Sequence, residues 1–409
     1  MLQIADHTHS EGLRPRSESF NVIINCMTSL ESRLKEQAHS LGFELVGIAP
    51  ATPADGFERM REWLDQGYAG EMEYMHRQAE ARRHPDSILA DVRTVVMVGM
   101  NYKEGVRGQE SGVRSQKPRI RGQQSRASGE QNAISNAWYL TPDPRPLAPP
   151  KVARYARGED YHHVLWKKLN RLLEWIQGEV PGCSGRGVVD TAPLLERDFA
   201  RRAGLGWFGK NTMLLNKRLG SYFFLGALLL DISLQPDVSH NASHCGTCTA
   251  CLDACPTQAF TEPGVLDSRR CISYLTIELR GSIPENLREP MGDWLFGCDV
   301  CQEVCPWNRK APPGLEPALQ PRNDLISIDP LQLLTLSEEQ FRERFRGTAL
   351  MRTKRQGLLR NAAIVLGNQG NLSALPTLRK ALSDSDGVIR EAAQWAIEKI
   401  EASKEPRTK

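Results

Sequence analysis

The sequence predicts an α+β fold in which an α/β domain is followed by a cysteine-rich module and a short helical repeat. Three observations support this division. Apolar segments of strand-like and helix-like periodicity alternate before residue 240. Eight of the ten cysteines lie between Cys245 and Cys305. Beyond residue 346, apolar side chains recur at the spacing of amphipathic helices. A chain of 409 residues has room for two or three such domains.

The composition is that of an ordinary soluble protein, with 40% hydrophobic and 25% charged residues. The formal net charge of +3 is too small to indicate nucleic-acid binding by itself, so any basic surface must be local. No signal peptide is visible, and the longest apolar run, residues 222–232, is too short to cross a bilayer of about 30 Å. We therefore expect a cytoplasmic protein that does not enter a membrane, and we take it to be a monomer.

The first 239 residues combine one α/β domain with two segments that lack periodicity. Residues 1–26 are polar and are predicted to be a disordered extension. Gly, Ser, Gln, Arg and Pro dominate residues 103–150, which are predicted to be a disordered insertion in the domain 27–239. The elements predicted for this domain are a helix capped by Thr28 that runs to about Ser40, strands at 43–48 and 94–100, a helix at 161–177, and strands at 187–189 and 221–231.

The cysteine spacing indicates two iron–sulfur clusters. Residues 245–256 form an unbroken C-x2-C-x2-C-x3-C-P run, in which the first three thiolates bind one [4Fe–4S] cluster and the fourth binds the other. Residues 298–306 end in the same way but lack one cysteine, and Cys271 is the nearby candidate to replace it. The predicted ligand sets, in a ferredoxin-like module at 240–310, are Cys245, Cys248, Cys251 and Cys305 for one cluster, and Cys255, Cys271, Cys298 and Cys301 for the other.

Structural zinc and a disulfide framework are the alternatives for these cysteines. Zinc sites favour paired C-x2-C units and give no reason for a cysteine followed by proline, and disulfide frameworks suit small secreted domains. The spacing favours clusters, which indicates a protein that transfers electrons. Cys26 and Cys183 are interpreted as incidental thiols.

The C-terminal part is predicted to contain a proline-rich linker, 311–345, and a HEAT-like helical unit, 346–409. So few repeat units must pack against the rest of the chain to be stable. Seven basic side chains and one acidic side chain occupy residues 341–360. This run is interpreted either as a solvated basic face or as a surface for nucleic-acid phosphates, and the residues favour neither.

Two segments between residues 185 and 215 could have a functional role, and each also has a purely structural interpretation. Residues 204–211 come near a nucleotide-binding P-loop, but Asn211 replaces the Ser or Thr that binds magnesium, and a predicted helix precedes the run in place of a strand. Asp190 follows a predicted strand, and the residues alone favour a helix N-cap over a proton donor.

His162 and His163 open a helix and are interpreted as surface residues.

Several motifs in fixed order resemble the epoxyqueuosine reductase family, which modifies tRNA in queuosine biosynthesis. The resemblance covers about residues 27–400 apart from 103–150. The motifs are Gly-Glu-Asp-Tyr-His at 158–162, Val-Asp-Thr-Ala-Pro-Leu-Leu-Glu-Arg at 189–197, the segments 202–213 and 220–222, the cysteine runs with 270–276 and 297–307, and the helical tail.

The resemblance implies an activity, cofactors and partners that the residues alone do not show. The family reduces epoxyqueuosine at the wobble position of a tRNA anticodon to queuosine and water, using two electrons and a proton donor. It binds cobalamin on a domain similar to that of reductive dehalogenases. Two [4Fe–4S] clusters relay electrons to it from an external flavodoxin- or ferredoxin-like donor. The implied macromolecular partner is tRNA carrying epoxyqueuosine.

Carried over position by position, the resemblance implies roles for individual residues. Asp190 matches the proton donor, which reverses the preference for an N-cap. Arg280 matches a tRNA contact, and Arg352, Lys354 and Arg355 of the basic run are expected to bind the anticodon stem through its phosphates. The implied cobalamin contacts are Arg82, Ala153, Asp190, Leu214, Leu225, Ser273, Asp299 and Val300.

Two other functions are open at this point. A corrinoid reductive dehalogenase of a small molecule would share the cofactors, but members of that family usually carry a twin-arginine signal and have no use for a basic helical tail. A non-catalytic, ferredoxin-like electron-transfer protein would carry the clusters without cobalamin. Cobalamin content therefore separates the second alternative from both enzymes.

Overall fold

The structure is a computed structural model and describes residues 29–105 and 149–403. The predicted extension 1–26, Cys26, Thr28 and nearly all of the predicted insertion 103–150 lie outside the described residues.

The strands of the described residues form one four-stranded sheet and three two-stranded sheets. They are β1 (Leu45–Pro50), β2 (Thr94–Asn101), β3 (Lys151–Val152), β4 (Gly185–Val188), β5 (Trp207–Phe208), β6 (Leu214–Leu215), β7 (Phe223–Leu230), β8 (Phe260–Glu262), β9 (Val265–Leu266) and β10 (Trp294–Phe296). The four-stranded sheet has the order β1–β2–β7–β4 and is antiparallel throughout. Its second strand, β2, is buried along its whole length, as its continuous apolar run predicts.

The helices surround this sheet and make up most of the C-terminal half. They are α1 (Leu30–Ser40), α2 (Phe57–Asp65), α3 (Glu73–Arg77), α4 (Tyr161–Glu179), α5 (Glu196–Arg202), α6 (Ala250–Asp253), α7 (Ile272–Ile277), α8 (Glu285–Met291), α9 (Val300–Glu303), α10 (Pro306–Arg309), α11 (Asn323–Ile326), α12 (Pro330–Leu333), α13 (Glu338–Phe345), α14 (Lys354–Gln369), α15 (Leu375–Ala381) and α16 (Gly387–Ala402).

Helices cover both faces of the central sheet. Val96 and Val98 of β2 share one hydrophobic core with α1 and α4. Val95 and Met97, which alternate with them, share the core of the opposite face with Phe199 of α5. This alternation follows from the two-residue period of side chains along a strand. The sheet is therefore the middle layer of an α+β domain.

The predicted elements of this domain are confirmed with small shifts at their ends. The hydroxyl of Ser29 accepts a hydrogen bond from the amide of Ser32, so Ser29 caps α1 in place of the predicted Thr28. The first sheet strand begins at Leu45 because the amide of Phe43 still donates to the helix carbonyl of Ala38.

The cysteine-rich segment and the C-terminal helices share one hydrophobic core. Leu275 of α7, Phe296 of β10 and Leu358 of α14 are all buried in it. The parallel pairing of β10 with β3 adds the segment after residue 149 to the same unit. The predicted packing of the helical tail against the rest of the chain is thus confirmed, and its assignment to HEAT-like repeats stays a prediction.

The prolines of residues 311–345 wrongly predict a linker. Three short helices, α11 to α13, lie in this range, and Leu325, Phe341 and Phe345 are buried in the shared core. The apolar side chains between the prolines bury enough surface to fix the segment in place. Within 29–105 and 149–403, no helix has the length and apolar character needed to cross a membrane.

Candidate functional site

Asp190 lies in a sharp turn just after the edge strand β4. Its φ angle is +50°, in the left-handed region that Asp tolerates better than most residues. The N-cap interpretation is wrong, because α5 begins only at Glu196 and Leu195 before it makes no side-chain capping bond. The Asp190 carboxylate therefore has no helix to cap and meets other partners.

Three side chains converge on the Asp190 carboxylate. The Tyr161 hydroxyl donates a hydrogen bond of 2.5 Å to Oδ2. The Nε2 atom of His162 lies 3.4 Å from the same oxygen, and a guanidinium nitrogen of Arg352 lies 3.5 Å from it. Arg352 also lies over the Tyr161 ring, 5.3 Å from its centroid. The Asp190 side chain nevertheless stays 52% exposed, so a ligand can reach it.

This environment keeps Asp190 ionised. Burial raises the pKa of the Asp190 carboxyl, but hydrogen bonds from His162 and Tyr161 and the charge of Arg352 outweigh it and lower that pKa far below its usual range. Burial lowers the pKa of His162, whereas hydrogen bonds to Asp160 and Asp190 raise it, with a net increase. Desolvation raises the pKa of the Tyr161 hydroxyl. One carboxylate is thus surrounded by a tyrosine, an arginine and a histidine whose pKa is raised.

The first turn of α4 positions Tyr161 and His162. Asp160 is the N-cap, and its carboxylate accepts a hydrogen bond from the amide of His162 at 3.1 Å. The same carboxylate lies 2.7 Å from His162 Nδ1, which orients the ring so that Nε2 faces Asp190. The surface interpretation is wrong for His162, which is half-buried, whereas His163 is exposed. The sequence signal for this role is the carboxylate two residues before His162.

Arg352 reaches Asp190 from a 3-10 helix, Ala349–Thr353, that precedes α14. The carbonyl of Arg352 accepts a hydrogen bond of 3.1 Å from the guanidinium of Arg280, so two of the predicted tRNA contacts meet beside Asp190. Of the other two, Lys354 is exposed and Arg355 forms an ion pair with Asp384. The tRNA-binding role of all four residues stays a prediction.

The basic run at 341–360 is not one continuous face. Arg360 is completely buried and donates hydrogen bonds to the carbonyl oxygens of Leu275, Leu279 and Gly281. These bonds fasten α14 to the cysteine-rich module. Arg360 is therefore unavailable to phosphate groups.

A second carboxyl group, Glu196, lies near Asp190 at the start of α5. Its Oε1 atom is buried and has no hydrogen-bond partner among the described residues. Burial and the charge of Asp190 raise the pKa of Glu196 to about 8, although Arg197 and Arg82 act in the opposite direction. Arg82 is buried and interacts with both carboxyl groups, whereas the neighbouring Arg83 pairs with acidic side chains at the surface. Sequence reasoning did not single out Glu196.

Glu196 lines a cavity of about 1020 Å³ between α2 and the β8–β9 hairpin. Met60, Trp63 and Met72 give this cavity apolar walls, and Lys210 adds a positive charge. The eight residues implied for cobalamin are all described, and none of them lines this cavity. The chain that follows Asp190 enters it at Leu195, so the cavity lies beside the Asp190 site and not within it.

The residues implied for cobalamin come from the sheet domain and from the cysteine-rich module. Leu225 is the single partly exposed residue of β7, which is otherwise buried. Asp299 is buried and accepts a hydrogen bond of 2.8 Å from the amide of Arg154, which brings Ala153 beside the start of α9. The others are Leu214, buried in β6, and Ser273 and Val300, both partly exposed.

One predicted set of cluster ligands lines a cavity of about 250 Å³. Its wall contains Cys245, Cys248, Cys251 and Cys305, together with His244 and Trp307. Burial raises the pKa of the Cys305 thiol, and the charges of Cys245 and Cys248 raise it further, as expected for neighbouring thiols. Cys248 is exposed, so this site reaches the protein surface.

The other predicted ligand set also lies together. Burial raises the pKa of Cys298 and of Cys301, and the charges of Cys271 and Cys255 raise both further. Among the described cysteines there is no disulfide, and no described group of ligands is compact enough for a single metal ion. Four thiolates around an iron–sulfur cube stand further apart than the ligands of one ion. The preference for clusters over zinc rests on the cysteine spacing, and the assignment of each ligand stays a prediction.

The run that resembles a P-loop supports the cysteine loops instead. The Lys210 ammonium donates hydrogen bonds to the carbonyls of Gly246 at 2.7 Å and Cys248 at 2.9 Å. The Asn211 amide donates to the carbonyl of Cys301 at 3.3 Å. These bonds connect both cysteine groups to the N-terminal region, and the helix α5 stands where a P-loop needs a strand.

The chain matches two family models. Residues 82–191 match the family described as epoxyqueuosine reductase QueG, DUF1730, and residues 244–308 match a 4Fe-4S double cluster binding domain. Among curated proteins, an epoxyqueuosine reductase of Pseudomonas aeruginosa is 39% identical over 90% of this chain and 94% of its own length. The corresponding protein of Escherichia coli strain K12 is 37% identical over 91% of this chain and 89% of its own length.

Two solved structures are similar over nearly the whole fold. One is an epoxyqueuosine reductase crystallised with an epoxyqueuosine-modified tRNA-Tyr stem loop. The other is an epoxyqueuosine reductase from Bacillus subtilis whose catalytic aspartate loop is swung out of the active site. Each has a TM-score of 0.77 and 30% sequence identity to this chain, and each match covers 93% of this chain and 95% of the relative's own chain.

Proposed function

The chain belongs to the epoxyqueuosine reductase family of oxidoreductases, and we propose that it reduces epoxyqueuosine at the wobble position of tRNA to queuosine. The observation that carries the proposal is the setting of Asp190. It is a half-exposed carboxylate held by Tyr161, His162 and Arg352, in a chain that also carries two predicted groups of four cysteines. Such a site can protonate a substrate while electrons arrive from elsewhere in the same protein.

The chemistry requires two electrons and two protons. Both C–O bonds of the epoxide break, a C=C bond forms between the two carbons, and the oxygen leaves as water. Electrons and protons are thus consumed in equal number. The protein must therefore provide one route for single electrons and one for protons.

The two cysteine groups are proposed to hold [4Fe–4S] clusters that relay single electrons. The group that contains the exposed Cys248 would accept electrons from an external one-electron donor of the flavodoxin or ferredoxin type. The group that contains Cys298 and Cys301 flanks Asp299 and Val300, two of the implied cobalamin contacts. This order of sites supports an electron path from the surface toward Asp190.

Cobalamin is the cofactor that the family resemblance implies, and the residues present fit it. Leu225 is left partly exposed within a buried strand, and Ser273 and Val300 are partly exposed on the cysteine-rich module. These three are small or apolar side chains of the kind that can pack against a large macrocycle. Ala153 and Leu214 are themselves buried. Bound to these residues, cobalamin would supply the cobalt that passes two electrons to the epoxide.

Asp190 is proposed to pass a proton to the departing oxygen. Because the pKa of Asp190 is low, Asp190 would relay a proton that His162 holds. The carboxylates of Asp160 and Asp190 raise the pKa of His162, so His162 keeps this proton to higher pH. Tyr161 and Arg352 would hold the carboxylate in position. The catalytic aspartate loop named for the Bacillus subtilis relative supports this role.

The tRNA partner is supported by the relative that was crystallised with a modified tRNA stem loop. Arg280 and Arg352 meet next to Asp190, where a substrate nucleotide would enter, and Lys354 lies exposed beside them. Cationic side chains at this position would bind the phosphates around the wobble nucleotide. Arg355 is already paired with Asp384 and would contribute less.

The test is anaerobic purification after expression with cobalamin, followed by iron, sulfide and cobalt analysis and an assay with tRNA that contains epoxyqueuosine. We expect about eight iron atoms and one cobalt per chain, and conversion of epoxyqueuosine to queuosine with a strong reductant. Eight irons without cobalt and without turnover would indicate an electron-transfer protein. Cobalt with dehalogenation of a small aryl halide and no reaction of the tRNA would indicate a reductive dehalogenase.

A further inference from the structure

Glu196 is a buried acid for which the proposed reaction has so far no use. Glu196 lines the wall of the 1020 Å³ cavity, and its Oε1 atom is buried and has no hydrogen-bond partner among the described residues. The carboxyl group has a hydrogen bond to its own backbone, but leaving one buried carboxylate oxygen without a donor costs free energy, whereas a protonated carboxyl is tolerated there. Such a group persists at functional sites more readily than in ordinary cores.

The charged groups around Glu196 couple it electrostatically to Asp190. The charges of Asp190 and Arg82 act on its carboxyl, and Arg197 is next to it on α5. Arg82 interacts with both carboxyl groups and with Tyr74, and Lys210 lines the same cavity. Burial and the negative charge of Asp190 outweigh the cations and raise the pKa of Glu196 to about 8, so Glu196 carries a proton at neutral pH.

The reaction needs two protons, and His162 accounts for one of them. We propose that Glu196 holds the second proton and reloads Asp190 from the side of the cavity. This inference rests on the proposed function. The two electrons from the external donor enter as the first C–O bond breaks, so the carbon keeps an electron pair and the oxygen becomes an alkoxide. The alkoxide takes the first proton from Asp190 and becomes a hydroxyl group. The electron pair on carbon then forms the C=C bond as the second C–O bond breaks, and the hydroxide released takes the second proton and leaves as water.

The direction of transfer is favourable overall. An alkoxide or hydroxide is far more basic than either carboxylate, so a proton that moves from Glu196 through Asp190 to the oxygen ends on the strongest base. Glu196 thereby becomes ionised and regains its proton from water in the cavity. It acts through Asp190 and need not contact the substrate.

The test compares Glu196→Gln and Glu196→Asp with the wild-type holoenzyme, which contains clusters and cobalamin. We expect kcat of Glu196→Gln to fall by about 100-fold, within the range of general acid catalysis, with unchanged iron content, cobalt content and tRNA affinity. The wild-type rate should decline above about pH 8, where Glu196 ionises. Glu196→Gln should lose the part of that decline caused by ionisation of Glu196 and keep the part caused by deprotonation of His162, and Glu196→Asp should restore part of the rate. Glu62→Gln, at an exposed carboxyl on the same cavity wall, is the matched control and should resemble the wild type.

A second measurement follows the proton without turnover. Infrared difference spectra of the purified protein should contain the carbonyl band of a protonated carboxylic acid at pH 7, lose it above pH 8, and lack it in Glu196→Gln. A wild-type rate and pH profile in Glu196→Gln would overturn the inference, as would a slow variant that keeps the wild-type decline or loses iron or tRNA affinity. If the wild-type holoenzyme itself leaves epoxyqueuosine unchanged, the proposed function fails, and the inference fails with it.

Discussion

Asp190 and Glu196 are carboxyl groups six residues apart on one segment, and their surroundings give them opposite charge states. Asp190 is half exposed, yet Tyr161, His162 and Arg352 surround its carboxylate and lower its pKa far below the usual range. Glu196 has a buried oxygen without a hydrogen-bond partner, and its pKa is raised to about 8. Partners, more than exposure, decide which of the two is ionised.

The two carboxyl groups have different roles in the proposed proton transfer: Asp190 relays protons and Glu196 stores one. The one that can meet the substrate holds no proton at rest, and the one that holds a proton is hidden in a neighbouring cavity. A carboxylate with low pKa is a good conduit because it releases each proton that it accepts. A carboxyl with a pKa near the working pH is a good store because it can regain its proton between turnovers.

The largest effect is expected from Asp190→Asn, which removes the carboxylate that is proposed to relay protons to the substrate. Asparagine tolerates the left-handed backbone conformation at position 190, so the turn should survive. We expect turnover to fall by about 1000-fold or more, with iron, cobalt and tRNA binding unchanged. Single-turnover assays on reconstituted enzyme measure this.

The matched control for that substitution is Asp91→Asn. Asp91 is also an aspartate with a left-handed backbone, φ +57°, but it is exposed and lies outside the site. It should keep wild-type activity. Near-normal turnover of Asp190→Asn would contradict the conduit role, and equal losses in both variants would assign the effect to the backbone conformation.

A smaller effect is expected from Arg352→Gln, which makes Asp190 more like Glu196. Loss of the cation raises the pKa of Asp190 toward its ordinary value and frees the Tyr161 ring. We expect kcat to fall by about tenfold while tRNA affinity falls less, because the substitution removes one phosphate contact at most. Kinetics with tRNA binding at two salt concentrations separates the two effects.

Arg346→Gln provides the contrast for Arg352→Gln. Arg346 is an exposed member of the same basic run and does not belong to the Asp190 cluster. It should alter only the salt dependence of tRNA binding and leave kcat unchanged. If Arg352→Gln weakens tRNA binding and spares kcat, Arg352 is a phosphate contact and does not position Asp190.

The periodicity of apolar residues in the sequence predicted the strands and helices of the sheet domain. β2 is a continuous apolar run and α4 has a clear helical stripe, and both were confirmed within two residues. The cysteine spacing predicted a double-cluster module, and residues 244–308 match such a domain; the first predicted ligand set lines one cavity, and the division of the ligands between two clusters stays a prediction. The prolines of segment 311–345 suggested a linker, but the segment contains three short helices, one of which begins at Pro330, and its buried apolar side chains fix it in the core.

The candidate site was less predictable because it is assembled from distant segments. Arg352 is 162 residues from Asp190 in sequence, so no local pattern joins them. The capping interpretation of Asp190 depended on where α5 starts, and helix starts are among the least certain features of a sequence-based reading. Glu196 resembles an ordinary acid in the first turn of a helix, and only its buried, unpartnered oxygen distinguishes it.

The smallest expected effect is on the pH dependence of stability. It distinguishes the charge state of Glu196 from that of Asp190 without an activity assay. The pKa of Glu196 rises from an ordinary 4.5 to about 8 on folding, so between these values the unfolded chain binds fewer protons than the folded one. The contribution of Glu196 to the free energy of unfolding therefore decreases as pH rises through this window, by at most about 1.4 kcal/mol per pH unit, and levels off above it. Glu196→Gln cannot ionise, so its stability relative to the wild type should increase from pH 5 to pH 8. Thermal unfolding at several pH values, with Glu62→Gln as control, measures this. Parallel curves for the wild type and Glu196→Gln would mean that Glu196 is ionised in the folded protein, and the contrast with Asp190 would disappear.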